Sequence, residues 1–585
     1  MDTQTHLTMD AIATQAMENL VNQFARPMDF LRELAQNSMD AGTPRIDVIM
    51  EYEPGEPSGV LSIHVVDYGD GMDEEIIDKQ LTRLFSSNKE NDLTKIGKFG
   101  IGFTSIFAIK PEAVLLQTGR HGEYWELLFH ADRSYEKRAL TEPVSGTKIT
   151  LFKRFDEEEA AKFVKEAQFV LTYWCEHSEI PIYFEDKTQK SGSQSATAED
   201  ADPFAAFSSS AEANNTQRVD GPLAMEDADL VYAEDGPNYS LVIGYDAQPT
   251  YGFYNAGLTL VSSHSPDVLG DYAKQLQHVS FKIKCDDLEH TLTRDNVLQD
   301  EQWHKMMDVL LAAHQKLRDR LLERVLKAVA SGASLGLWYR YLAEELQLDG
   351  AAIVQTKEHH AAPLFVDVGG QTFSLQQLEQ QEAKYGVVFY DPGTTRLSQE
   401  MRAKGFWLLQ DTPTVRAVVD GLQRPRIWGV YRAPRVSVNA GDWFLLPELI
   451  EVQSLPEAER RFILAVDEWV QFGSRRRLSV GLGTFGGIDE ALTEGLVIAG
   501  PEDGVLFQRI RKTLWGLKEN AGTCFLLNKH HPYYASMLAL AAEDFVSAVY
   551  MLTMLLFTES QLGPEDVHSI LQGYAANQLE LEGTQ

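Results

Sequence analysis

The chain has 585 residues, enough for several domains rather than one core. Its composition is that of an ordinary folded protein, 44% hydrophobic and 24% charged. Against 86 acidic side chains stand 52 basic ones, and the net charge of −34 counts against a broad nucleic-acid-binding surface, because phosphate contacts need clustered cations.

Arg475-Arg476-Arg477 is a local basic exception. The three cysteines, Cys175, Cys285 and Cys524, are far apart and make neither a metal-ligand spacing nor a disulfide framework. The first residues, MDTQTHLTMD, lack the basic and apolar regions of a signal peptide. The most apolar late run, Val546 to Phe557, is shorter than the roughly 20 residues that a membrane helix needs. The expectation is a soluble, cytoplasmic protein with no membrane span.

In chain order, residues 8 to 41 read as two helices broken near Arg26-Pro27, with Asp29 placed to cap the second. Strands follow over Ile46 to Tyr52 and Val60 to Val66. Leu61, Ile63, Val65 and Asp67 share parity, so Asp67 ends a buried face. A helical stretch and a glycine-rich segment lead into another helix near Phe103, and further strands and a helix reach about residue 185. Residues 186 to 220 are small, polar and aperiodic, as in a linker or insertion. Strands are expected from Leu230 to about Asp300. Glu301 to Ala330 then forms a long amphipathic helix, with Trp303, Met306, Met307, Leu310 and Leu311 at helical spacing. Residues 335 to 500 alternate helix and strand signals, and the remainder reads as mostly helical and apolar.

Four short pieces near the N-terminus carry chemistry. Glu33 and Asn37 lie at i, i+4, one turn apart on one helix face with Asp40 beyond them. An amide oxygen is a hard ligand suited to Mg²⁺, and a carboxylate one turn away can orient a water aimed at a phosphate. Asp67-Tyr-Gly-Asp-Gly71-Met72 places an acid at a strand end before a tight glycine turn. A buried ionised Asp needs a donor, and the amino group of adenine is one; Met72 offers a polarisable wall. Lys95-Ile-Gly97-Lys-Phe-Gly100-Ile101-Gly102-Phe103 opens a helix with exposed backbone N–H groups, which suits phosphates, although the Walker Gly-Lys-Ser/Thr ending is missing. Thr147, at a strand start, has a hydroxyl that can hold a water against the adenine. Taken singly, each piece also reads as plain structure: a solvated stripe, a strand-turn-helix, a helix start, a strand hydroxyl.

Together, in this order, the four pieces resemble the Bergerat-fold ATPase superfamily of gyrase-type topoisomerases, heat-shock chaperones, histidine kinases and mismatch-repair ATPases. Arg-Glu-Leu-x-x-Asn-Ser-x-Asp-Ala and Ile-Gly-x-Phe-Gly-Ile-Gly-Phe look most like the ninety-kilodalton heat-shock chaperones. The resemblance implies an α/β fold, with an N-terminal sandwich of helices over a mixed sheet, an α/β middle domain and a mainly helical C-terminal domain. It implies Glu33 as general base and Asn37 as the Mg²⁺ ligand. The ATP contacts it implies are Asn37, Asp40, Asp67, Gly71 and Met72, with Gln80 on the lid. Gly97, Gly100, Ile101, Gly102 and Phe103 would lie along the phosphates, and Thr147 beside the adenine water.

Residues 251 to 300 are similar to the middle domain of the same chaperones, and Arg294 matches the arginine that reaches the terminal phosphate, with Gln299 near it. FLLNKHHPYYASMLAL, residues 525 to 540, resembles the start of their dimerisation domain; His530 and His531 read as loop residues rather than metal ligands. The sequence departs from the family at the lid, where Gln80 and Ser86 stand for an Asn and a Lys and Lys89 is the candidate compensating cation, and across 335 to 500.

The expected domains are 1–185 for ATP, 186–225 as linker, 226–334 as middle domain with the Arg294 loop, 335–500 as a second α/β or specialised region, and 501–585 for dimerisation. The expected function is a homodimeric Mg²⁺-ATPase clamp of chaperone type acting on client proteins. The alternative is an ATP-gated regulatory clamp in a nucleic-acid, defence or signalling complex.

Overall fold

The computed structural model describes residues 27–82, 102–188, 216–291, 296–353, 356–422, 435–474, 478–485, 495–501, 507–509 and 523–559. The chain divides into two compact units, residues 1–317 and 318–585, and each is described by itself. Gly97, Gly100, Ile101, Arg294, Ser86, Lys89 and Arg475-Arg476-Arg477 lie outside the described residues.

The first unit begins with an eight-stranded sheet. Its strands are β1 (Ile46–Glu53), β2 (Gly59–Asp67), β3 (Ala113–Arg120), β4 (Glu123–His130), β5 (Tyr135–Ala139), β6 (Gly146–Phe155), β7 (Ile182–Asp186) and β8 (Thr216–Arg218), in the order β5-β4-β3-β6-β2-β1-β7-β8. Only the β1/β7 pair is parallel. In β2 burial alternates strictly, so residues 59, 61, 63, 65 and 67 face the core. Asp67 is therefore carried inward by the same parity that buries Leu61, Ile63 and Val65.

Two helices, α1 (Phe30–Asp40) and α2 (Glu157–Cys175), pack on this sheet. Phe30, Leu31 and Leu34 of α1 and Val164, Ala167 and Leu171 of α2 share one core with Ile63, Leu116, Phe129 and Leu151. A capping box between Asp156 and Glu159 starts α2, with three glutamates in its first turn against the positive helix end. The cap expected of Asp29 does not form. Residues 27–29 already coil as a 3-10 turn, and Asp29 has helical backbone angles instead of the extended ones that aim a side chain at the next turn's N–H groups. Residues 102–104 are helical and continue as a 3-10 turn over Ser105–Ile109.

Two segments differ from the sequence reading. Residues 216–218, assigned to the linker, form β8 and close the edge of the sheet beside β7. In the second unit, strands at 497–501, 507–509 and 523–528 join those at 444–445, 448–450 and 478–484 in one six-stranded sheet, so the boundary expected at residue 500 runs through a sheet. Among the described residues after 501, strands at 507–509 and 523–528 precede the helices at 532–543 and 545–559.

The rest of the first unit is a five-stranded sheet. Strands β9 (Leu230–Asp235), β10 (Tyr239–Tyr245), β11 (Tyr251–Asn255), β12 (Leu258–Ser263) and β13 (Ser280–Cys285) run in the order β12-β11-β13-β10-β9. The helix α3 (Glu301–Ser331) follows, with Trp303, Met306, Met307 and Leu310 buried as their spacing predicts. In the second unit, a small parallel sheet of residues 388–391, 409–410 and 437–439 precedes the six-stranded one. Helices at 457–473, 532–543 and 545–559 share a core through Phe462, Val466, Tyr534, Leu552 and Leu556. His531 caps the second of these, its Nδ1 accepting from the Tyr533 N–H at 3.2 Å, which makes it a structural residue.

Phe129 sits among Phe103, Phe107 and Tyr135 with ring centroids 5.4, 6.3 and 5.5 Å away. Phe129→Ala is expected to cost about 3–5 kcal/mol in the unfolding of this domain, read as a lower denaturant midpoint. A loss of about 0.5 kcal/mol, typical of a surface change, would show that this cluster does not hold the core.

Candidate nucleotide site

The site is built around Asp67 at the inner end of β2. The carboxylate is only 7% exposed. Its Oδ1 accepts from the backbone N–H of Gly69 at 3.0 Å and of Thr147 at 3.2 Å. The first is the turn after the strand, and the second comes from the facing residue of β6, since Asp67 pairs with Thr147 in register. Oδ2 takes a long bond from the Ser38 hydroxyl of α1 at 3.4 Å. Burial pushes the Asp67 pKa up, and the three hydrogen bonds oppose that shift.

Hydroxyls line the same corner. Thr147 Oγ1 lies 3.0 Å from Thr118 Oγ1. Thr118 is fully buried, donates to the Gly146 carbonyl at 3.2 Å and accepts from the Met72 N–H at 2.9 Å. The turn between Asp67 and Met72 needs its glycine: Gly71 has φ +67°, and a Cβ there would lie 2.2 Å from the Gly119 carbonyl oxygen. Met72 packs half-buried against the domain core.

One turn up α1 from Ser38, Glu33 is 6% exposed. A Cβ on Gly102 would stand 2.9 Å from Glu33 Oε2, 3.7 Å from Asn37 Nδ2 and 3.8 Å from Asn37 Oδ1. The backbone at the helix start thus runs against the carboxylate and the carboxamide together. The glycine leaves room for a phosphate oxygen that any side chain would fill. The donor set fits Mg²⁺ as well: one hard amide oxygen beside a phosphate cradle is what an ion with few protein ligands requires.

Among the expected site residues, Glu33, Asn37 and Gly102 converge, and Asp67, Gly71, Met72 and Thr147 form the adjoining corner. Asp40, Gln80 and Phe103 differ from these in their surroundings. Asp40 is exposed and accepts from Gln36 at 3.0 Å, because i+7 from Glu33 has passed the end of the covered face. Gln80 is exposed on the helical turn 77–81. The Phe103 ring is 2% exposed and packs on Phe129, so its backbone is what it can offer a ligand. The sequence reading missed Ser38 and Thr118. Thr118 shares the parity of the buried Val114 and Leu116, and a hydroxyl on that face was the available signal.

Comparison with known proteins bears on the same segment. Residues 27–160 match the family described as histidine kinase-, DNA gyrase B- and HSP90-like ATPase. The chain is 29% identical over 204 residues to the chaperone protein HtpG of Helicobacter hepaticus, covering 29% of this chain and 31% of that one. It is 27% identical over 229 residues to HtpG of Nitrosospira multiformis, covering 34% and 35%. It is also 32% identical over 173 residues to the DNA mismatch repair protein MutL of Streptococcus sanguinis, covering 27% and 25%. The matched regions span about a third or less of the length of these relatives. Residues 27–160, with a mixed sheet whose buried acid faces a helix carrying Glu33 and Asn37, are thus similar to ATPase domains of the histidine kinase, DNA gyrase B and HSP90 type.

Proposed function

We propose that this chain is a Mg²⁺-dependent ATPase that works as a dimeric clamp on other proteins, in the manner of an HSP90-like chaperone. One observation carries the reading: Glu33, Asn37 and the Gly102 backbone meet over a domain whose buried acid, Asp67, keeps one carboxylate oxygen clear of backbone donors. Asp67 Oδ2 accepts the adenine amino group, Thr147 and Thr118 hold the neighbouring water, and Met72 covers the ring. Asn37 holds the metal ion, which when bound neutralises phosphate charge. Glu33 orients the attacking water and takes its proton. Arg294, whose sequence context led to its choice, supplies the cation for the terminal phosphate.

Dimerisation is supported by the helix 545–559, which is apolar on nearly every side and leaves Met551 45% exposed. The three buried free cysteines fit a reducing cytoplasm. Among the described residues no helix is long and apolar enough to cross a membrane. The MutL match supports a second reading, an ATP-gated clamp in a nucleic-acid or signalling complex; the charge of −34 opposes nucleic acid.

Glu33→Ala and Arg294→Ala are each expected to retain ATP binding and to lose about 10²-fold or more in turnover, measured as phosphate release. Equal rates in all three proteins would refute the mechanism. Capture on Glu33→Ala with ATP should recover unfolded clients; recovery of DNA or of one fixed partner would favour the second reading.

The raised Asp67 pKa has two consequences of opposite sign. Folding keeps that proton to a higher pH than the unfolded chain does, so the free protein gains stability as pH falls through the folded pKa. Nucleotide affinity falls over the same interval, because the adenine amino group needs the ionised acceptor. Titrations with an adenine nucleotide between about pH 5 and 8 should show weaker binding at the acid end, and Asp67→Asn should flatten that slope. Tighter binding in acid would count against Asp67 as the adenine acceptor.

A further inference from the structure

We propose that Lys282 is a positioning residue for hydrolysis: by tying β13 to the turn that follows α2 it fixes where the hairpin neck, residues 289–291 paired with 296–298, stands. The proposal rests on the hydrolysis reading above.

Lys282 Nζ lies 3.1 Å from Glu176 Oε1 and 2.9 Å from His177 Nε2. The His177 ring is nearly sealed, 5% exposed. Its Nδ1 lies 3.5 Å from the Gly221 carbonyl, so the ring proton resides there and Nε2 presents a lone pair. Only a donor satisfies that lone pair, and the ammonium supplies one while it also pairs with Glu176. Burial and the Lys282 charge both keep His177 neutral.

This end of α2 is gripped by the same sheet. A Cβ on Gly257, at φ +80°, would fall 1.8 Å from the His177 carbonyl oxygen. Thr259 Oγ1 donates to the Tyr173 carbonyl at 2.7 Å, and Tyr254 meets the His177 ring edge-on at 4.9 Å. On the opposite side, Trp174 of α2 stacks under the Arg32 guanidinium at 4.4 Å, and Arg32 adjoins Glu33.

The path from Lys282 to the hairpin is short and pinned. Asn255 Nδ2 donates to the carbonyls of Asp286 and Leu288 at 2.8 and 2.7 Å just after β13. The neck then closes through Leu298 N–H to Glu289 O at 2.7 Å and Thr291 N–H to Asn296 O at 2.9 Å. Burial and, after it, the Arg32 charge keep the neck's His290 toward its neutral form. An apolar seam can slide by a fraction of a side chain. A charged donor shared between a carboxylate and one ring nitrogen has a single register. That register fixes where the hairpin neck stands.

The test uses the full chain: phosphate release and, separately, nucleotide affinity for wild type, Lys282→Met, Lys282→Arg, Arg294→Ala and the Lys282→Met/Arg294→Ala double variant, with amide exchange of wild type and Lys282→Met. Lys282→Met should lose about ten- to a hundredfold in kcat with nucleotide affinity unchanged, and Lys282→Arg should recover part of it. The double variant should be no slower than Arg294→Ala. The neck amides 289–291 and 296–298 should exchange faster in Lys282→Met while β1 to β6 do not change. Gly257→Ala, which forces the same joint apart from another atom, should repeat the loss. Wild-type turnover in Lys282→Met, or unchanged exchange at the neck, overturns the proposal. A double variant slower than Arg294→Ala by the full single-variant factor also overturns it, since the two residues would then act independently. If Arg294→Ala itself keeps wild-type turnover, the hydrolysis reading fails instead, and the exchange measurement still decides the role of Lys282.

Discussion

A carboxylate sealed at the inner end of a strand has to be met by donors, and most of this site follows from how Asp67 meets that demand. One donor comes from its own turn, at Gly69, and another from the antiparallel neighbour, at Thr147. The second is available only because β6 begins opposite the end of β2, and Gly146 makes that approach possible. At φ +70°, a Cβ on Gly146 would lie 2.2 Å from the Asp67 carbonyl oxygen. The third donor, Ser38, belongs to α1. That bond ties the helix to the sheet, and Glu33 and Asn37 ride on the same helix. The acid that would read the base therefore also sets where the groups for the phosphates stand.

The parts of this arrangement that were legible in the sequence are the local ones. Parity alone places Asp67 inward, because Leu61, Ile63 and Val65 mark the buried face of β2. The i, i+4 spacing alone puts Glu33 and Asn37 on one face of α1. The groups that escaped notice act across the sheet. Thr118 matters because register sets it opposite Thr147, and register between strands separated by a hairpin is not written in either strand. Asp40 and Phe103 neighbour Asn37 and Gly102 in sequence, yet the helix turns the Asp40 side chain outward and the core takes the Phe103 ring. The strands at 216–218 and 523–528 went unread for a related reason: short runs become strands through partners far along the chain.

Two kinds of contact divide the work in the first unit. Inside the ATPase domain the helices meet the sheet through Phe30, Leu34, Leu116 and Phe129, a seam that is apolar and closely packed. Between α2 and the five-stranded sheet, Leu258 continues the apolar core, and directed polar bonds are added to it: Thr259 to Tyr173, Lys282 to His177 and Glu176, and, just beyond the helix, Lys284 to Glu179 at 2.8 Å. Apolar burial stabilises in proportion to area and tolerates small slips, whereas hydrogen bonds are directional and contribute little net stability, about 0.5–1.5 kcal/mol each.

That difference would suit the nucleotide-driven clamp proposed above. A conformational equilibrium is moved only by the difference in binding free energy between two states, and reversing a population from 1:99 to 99:1 takes about 5.5 kcal/mol. A domain seam made of large apolar area would sit well beyond that range and lock the two parts together. A seam of a few directed hydrogen bonds defines one arrangement sharply, yet its net stabilisation is of the size that one bound triphosphate can offset. In the proposed clamp, the polar bonds of the α2 joint would let the same contact be both exact in geometry and reversible.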